Sequence, residues 1–256
     1  MTLQAVVITR ENPFFMPEYV RPIFDCPAIQ LRHVFIDTRT SPHLSFWQVL
    51  YLTSFRGALQ LVALHLLSFF PGGLALRGLP GPRRVAEIAA GKGISVTRLD
   101  RAKKTAVDEL IRQLAPDIII SVGNSHILPP DVLGAARIVA LNSHGSLLPR
   151  YRGILAGFWA MLDGASKGGV TIHRMSETVD AGPIVVQRSF DITPQETLFS
   201  YYIKVAAVGG ALWDEALCLF AKGAVPEQAV TVTGRPYGRP SFSDLRRFRA
   251  LGRRFL

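Results

Sequence analysis

Two short runs with hardly a polar residue limit this chain more than any other feature. One spans residues 3–8 (LQAVVI) and the other residues 118–122 (IIISV). A strand with one wet face alternates apolar and polar residues, so a nearly unbroken apolar run means a strand covered on both faces. That is the condition of a parallel sheet flanked by helices. Each run passes straight into a loop, TRENPFFMPEY after the first and Gly123-Asn124-Ser125-His126 after the second. Open parallel sheets gather their ligands at these carboxyl ends.

Strand patterns over residues 31–36 and 95–99, with helical patterns over 85–90, 108–114 and 196–221, alternate in the βα manner. The chain is therefore expected to form an α/β fold, a Rossmann-like, mostly parallel, doubly wound sheet with a small C-terminal appendage. The expected division is a catalytic domain over residues 1–225 and a basic appendage over 226–256. Within the appendage, residues 229–232 look like a strand. Ser243 looks like the cap of a short helix anchored by Phe248, Leu251 and Phe255.

Residues 44–70 carry one formal charge, Arg56, among many aliphatic and aromatic residues. Gln48, Arg56, Gln60 and His65 interrupt the segment, and it has no apolar run long enough to span a bilayer. Burial against the sheet or a second subunit is expected, which would make the protein a homodimer; a helix lying in a lipid interface is the minor alternative. Membrane insertion is not expected. The residues that follow, 71–84, are dense in Gly and Pro and read as a loop.

The 256 residues carry a formal net charge of +10. Much of it is local: Arg235, Arg239, Arg246, Arg247, Arg249, Arg253 and Arg254 all lie near the C-terminus. Two cysteines, Cys26 and Cys218, show no paired spacing. They argue against a disulfide partner or a cysteine-ligated metal, and the absence of a His-Glu-x-x-His pattern argues the same for metal in general. No basic start followed by an apolar core opens the chain, so a cytoplasmic location is expected.

The chemistry concentrates between residues 138 and 184. A β-branched run leads into Asn142 and His144, whose i, i+2 spacing aims an amide and an imidazole to one side of an extended segment. Asp180 follows downstream, with Gly182 permitting the bend after it. Taken singly, Asn142 could cap a turn and His144 could be structural. Thr171 and His173 alternate with Val170 and Ile172, as strand packing alone would produce, so His173 reads as structural. His126 reads as a helix-starting surface residue or a support for its neighbours.

The string Asn142-Ser143-His144-Gly145-Ser146-Leu147-Leu148-Pro149-Arg150-Tyr151-Arg152-Gly153, followed by Gly169-Val170-Thr171-Ile172-His173 and Asp180-Ala181-Gly182-Pro183-Ile184, closely resembles the formyltetrahydrofolate-dependent formyltransferases. That family includes methionyl-tRNA, glycinamide ribonucleotide and amino-sugar formyltransferases and the related hydrolases. The resemblance covers roughly residues 110–205 and departs at Gly145, where many relatives carry Pro. It implies N10-formyltetrahydrofolate as formyl donor, Asn142, His144 and Asp180 as the catalytic trio, and Gly123, Asn124 and Ser125 along the folate. It agrees with what formyl transfer needs. An amide N–H can hold the oxygen that gains charge, an imidazole can move the proton of the attacking amine, and a carboxylate can steady that imidazole.

The acceptor implied is a small-molecule primary amine. The loop after the first run lacks the Gly-Ser-Asn type sequence of the glycinamide ribonucleotide branch, and the chain stops short of the β-barrel that the tRNA branch appends. An amino sugar on a nucleotide carrier or a natural-product amine is therefore expected. Arg10 and Asn12 at the end of the first run are candidate contacts at the acceptor rim, with a solvated turn as the alternative. Arg150 and Arg152 are candidate contacts to an anionic acceptor or the folate tail, with structural pairing equally open. Hydrolysis of the formyl donor and a non-enzymatic role in binding nucleic acid are the rival functions.

Overall fold

The structure is a computed structural model and describes residues 2–12, 14–38, 48, 51–53, 84–99, 104–124, 126–223, 225 and 227–256. Among these residues, β1 (Leu3–Arg10), β2 (Ile29–Asp37), β3 (Ser95–Leu99), β4 (Ile118–Val122) and β5 (Val139–His144) run parallel. β6 (Lys167–Arg174) and β7 (Ile184–Asp191) continue the sheet antiparallel. The spatial order is β3-β2-β1-β4-β5-β6-β7. The order reverses between β1 and β4, which opens a crevice at their carboxyl ends.

Helices cover both faces, as the apolar strands require. On one face Val6, Ile8, Phe35 and Ile119 pack with Val107 and Ile111 of α3 (Lys104–Leu114) and Val132 of α4 (Pro130–Leu133). The larger core on the other face joins Ala5, Val7, Ile118, Ile120 and Val122 to α1 (Met16–Asp25) and α6 (Leu198–Ala221). Helix α2 (Val85–Gly91) lies on this second face beside α1 and contributes Val85 and Ala89 to its core.

Helix α1 starts inside what the sequence suggests is loop. Asn12 Oδ1 accepts from the N–H groups of Phe14 and Phe15 at 2.9 and 3.2 Å, and Pro17 sits in the first turn. Those features satisfy exposed amides and pre-set φ where a helix begins. The Gly209-Gly210 pair does not break α6. It admits α1: a Cβ on Gly209 would stand 2.3 Å from the Tyr19 ring. Thr197 caps α6 by accepting from the Ser200 N–H at 3.1 Å.

Three details of the C-terminal segment differ from the sequence reading. No strand forms over residues 229–232; Gln228 just before them makes an isolated bridge to Ile184. The cap of α7 (Phe242–Ala250) is Ser241, not Ser243, because Asp244 at the third position returns a bond to the Ser241 N–H at 2.8 Å and completes a reciprocal box. Leu251 is exposed and Leu245 takes its place in the core. The segment is anchored to the main core. Leu245 and Phe248 are fully buried in the main core, and Phe248 stacks on Phe158 of α5 (Ala156–Leu162) with ring centroids 4.6 Å apart. Arg246, Arg247 and Arg249 stay on the wet side.

The expectation for residues 44–70 falls almost wholly outside the described residues. What is described docks on the C-terminal segment. Leu52 is buried, its carbonyl accepts from the Phe255 N–H at 3.1 Å, and the Arg249 guanidinium lies over the Tyr51 ring. Among the described residues no helix is long and apolar enough to cross a membrane.

Candidate active site

A cavity of about 440 Å³ opens at the carboxyl ends of β1, β4 and β5. Arg10 and Asn12 line it from β1 and its loop, Gly123 and Asn124 from the loop after β4, and Asn142 and His144 from β5. Asp180 and His173 close it from the antiparallel side, while Met16 of α1 and Tyr202 of α6 supply walls. Ser125 lies outside the described residues.

Strand β5 positions two polar groups by its ladder. Asn142 is paired across to Ser121 on β4 and to His173 on β6. His144 is buried, and its Nε2 lies 2.8 Å from the Tyr151 carbonyl. A carbonyl only accepts, so Nε2 carries the hydrogen and the neutral ring keeps its lone pair on Nδ1. That nitrogen stands 3.4 Å from Asp180 Oδ2. Burial pushes the His144 pKa below the ordinary value, with Asp180 and the Tyr151 carbonyl pulling the other way. The neutral imidazole is thus a base whose basic nitrogen already faces a carboxylate.

Asp180 is held in a different manner. It sits in a turn at φ 50, a left-handed conformation that costs a non-glycine residue energy. Its Oδ2 accepts from the Gly153 N–H at 2.8 Å. Burial alone would raise its pKa; His144, His173 and the Gly153 N–H outweigh it and hold the carboxyl at about 2. It is ionised at any physiological pH.

His173 joins this group, although its alternation in the sequence suggested packing only. Its Nδ1 lies 2.8 Å from the Arg174 carbonyl and so carries the hydrogen, which leaves Nε2 to accept from Asn142 Nδ2 at 3.2 Å. Asn142 Nδ2 also lies 3.5 Å from Asp180 Oδ1. The amide is therefore oriented nitrogen-inward. The sequence signal was present in the i, i+2 pattern of Thr171 and His173, but only the β5–β6 register sets His173 opposite Asn142.

Arg152 and Arg150 are placed differently from the anion contacts considered on the sequence. Arg152 is buried and spends Nε and Nη2 on the Val179 carbonyl, at 3.0 and 2.8 Å. It pins the residue before Asp180 and does not line the cavity. Arg150 is exposed, lies over the Tyr151 ring and bonds its hydroxyl. His126 is no surface residue: it is buried, with Nε2 2.7 Å from Asp108 Oδ1 on α3. Asn124 exchanges two bonds with the His126 backbone, so the loop after β4 is tied down at both ends.

A profile of the formyl transferase family matches residues 81–217, more than half of the chain. The chain belongs to the formyl transferase family. It is 36% identical over 139 residues to a methionyl-tRNA formyltransferase of Myxococcus xanthus, a match covering 54% of this chain and 45% of that protein. A methionyl-tRNA formyltransferase of Pelobacter propionicus is 35% identical over 158 residues, covering 62% and 49%. The chain thus spans about half the length of these curated relatives. Among solved structures, glycinamide ribonucleotide transformylase 1 from Symbiobacterium toebii superposes with a TM-score of 0.63 at 18% identity, covering 89% of this chain and 94% of that one. A 4-N formyltransferase from Francisella tularensis gives 0.59 at 17% identity, covering 92% and 76%. This family shares the fold described above, a mostly parallel doubly wound sheet.

Proposed function

We propose that this protein transfers a formyl group from N10-formyltetrahydrofolate to the primary amine of a small molecule, with Asn142, His144 and Asp180 as catalytic residues. The observation that carries the reading is the convergence of these three side chains on one cavity, with His144 fixed as the tautomer that can accept a proton at Nδ1. The donor supplies an activated formyl carbon, and the chain supplies the rest. Asn142 Nδ2 swings its loosely held N–H from Asp180 toward the formyl oxygen as that oxygen gains charge. His144 Nδ1 takes the proton leaving the attacking amine. Asp180 then faces an imidazolium 3.4 Å away and stabilises it.

The residues of the cavity suit a folate. Gly123 and Asn124 offer a tied loop at the apolar end, beside Met16, Leu128 and Leu133. Gly123 has φ +59, and a Cβ there would press on Met16 at 3.1 Å, so the loop presents bare backbone. Such a lining is apt for a flat ring that hydrogen-bonds through its edge.

For the acceptor, an amino sugar carried on a nucleotide is the class to test first. In support, the N-terminal amides of Phe14 and Phe15 are already taken by Asn12, so the first βα turn is a poor cradle for a simple ribose phosphate. Arg10 lines the same rim and sets a positive charge beside the acceptor end. The test is to follow N10-formyltetrahydrofolate consumption with and without a panel of amines. Turnover that depends on an added amine, with the formyl group recovered on nitrogen, supports transfer. Stoichiometric formate release without amine would replace the proposal with hydrolysis.

A further inference from the structure

Away from the cavity, the fold brings together the two cysteines whose sequence positions gave no hint of pairing. Cys26 follows the C-terminus of α1, and the neighbouring Ala28 carbonyl accepts from the Leu3 N–H at 3.1 Å. This places it at the amino ends of the strands, opposite the proposed active site. Asp214 and Cys218 stand one turn apart on α6 and so share one face of that helix. The two helices are in close contact at Gly209 and Gly210. One turn beyond that contact, the two sulfurs and a carboxylate oxygen of Asp214 all lie within 4.8 Å of one another. Cys26 is buried, Cys218 half-buried and Asp214 exposed.

We infer that Cys26, Cys218 and Asp214 form a binding site for a thiophilic divalent cation of the zinc class, which clamps the end of α1 to α6. Thiolates bind zinc at about 2.3 Å and carboxylates at about 2.0–2.2 Å in tetrahedral sites. Donors around one such ion lie a little under about 4 Å apart, so atoms already within 4.8 Å of one another converge with small rotamer changes. The two thiolates select a soft or borderline metal, and neither calcium nor magnesium suits them. Three protein donors leave the fourth position to water on the exposed Asp214 side. Binding is M²⁺ plus two thiols giving a dithiolate complex and two protons, with no change of oxidation state. Burial raises the Cys26 pKa above its ordinary value, as does the neighbouring Asp214.

The test uses the full chain, reduced and freed of metal by chelator, titrated with Co²⁺ without oxygen and then with Zn²⁺. Expected are one equivalent of cobalt, a near-ultraviolet thiolate-to-cobalt band with the visible spectrum of a tetrahedral ion, full displacement by zinc, and a higher melting temperature with zinc bound. Cys218→Ser should halve the charge-transfer intensity at saturation, because one of two Co–S bonds is lost. Asp214→Asn, an exposed change that leaves the core alone, should keep the band and weaken affinity about tenfold or more. Absent charge transfer, or charge-transfer intensity per bound cobalt equal in the parent and in Cys218→Ser, overturns the site. So does loss of both thiols to a disulfide that forms in air and excludes metal. The readouts are independent of formyl transfer, so failure here leaves the proposed function untouched.

Discussion

The two sides of the cavity are built by different means. Asn142 and His144 stand on β5, inside a ladder between β4 and β6 that fixes both at once. Asp180 stands on a left-handed turn that belongs to no strand and is held by three devices. The Gly153 N–H grips its carboxylate, the Arg152 guanidinium grips the carbonyl just before it, and Gly182 lets the chain fold back on Arg174. A sheet gives its position to whatever residue it carries; a turn must be pinned contact by contact. Damage on the β5 side should therefore remove chemistry and leave structure, whereas damage on the turn side should appear in both.

The largest effect is expected on the strand side. His144→Ala should lower kcat by roughly 10²-fold or more with an unchanged fold, read by steady-state rates and circular dichroism. Turnover near that of the parent would sink the assignment of the base. On the turn side, Gly182→Ala would set a Cβ 2.0 Å from the Arg174 backbone oxygen. Stability should fall by roughly 2–3 kcal/mol, measured by urea unfolding, with activity falling in parallel.

Acid should separate the sides as well. The Asp180 carboxyl sits at about 2 in the folded chain against an ordinary 3.8. A depressed acid stabilises the fold above its unfolded pKa and loses that contribution as pH drops through the folded one. The window is therefore about pH 4 down to about 2, and the size is roughly 2 kcal/mol. Asp180→Asn should flatten the stability profile in that window. In the same variant the acid limb of kcat/KM, set by His144, should move to lower pH, because the charge that favours the imidazolium is gone.

The smallest effect sharpens the comparison most. Arg152→Ala should lower kcat about tenfold while leaving both Michaelis constants nearly unchanged, since the guanidinium holds the Asp180 turn and touches no cavity. Arg152→Lys should not rescue it, because one ammonium cannot reproduce the paired bonds to a single carbonyl. A selective rise in the acceptor's Michaelis constant would return Arg152 to the substrate.

Much of the parallel half was legible in the residues. Runs such as IIISV are committed by composition to a doubly covered strand, and 95–99, 118–122 and the long helix ending at Ala221 lie where periodicity put them. The start of α1 was not legible, because its signal is a side chain: Asn12 accepting from the two amides just ahead of the helix, in a sequence that reads as loop. The cap at Ser241 was not legible for the same kind of reason, since the reciprocal bond with Asp244 decides it.

By itself the sequence determined the α/β class and the parallel strands, because these depend on local pattern, and its family resemblance, carried by two separated blocks, pointed to Asn142, His144 and Asp180 as candidates. Tertiary structure alone decided the partners. It set His173 against Asn142, turned Arg152 from the cavity to the Val179 carbonyl, buried His126 on Asp108, and brought Cys26 beside Cys218. Each of these pairings joins segments well separated along the chain. The physical reason is that side-chain type fixes what a residue can bond, while only the packing of distant segments fixes which atom stands within reach.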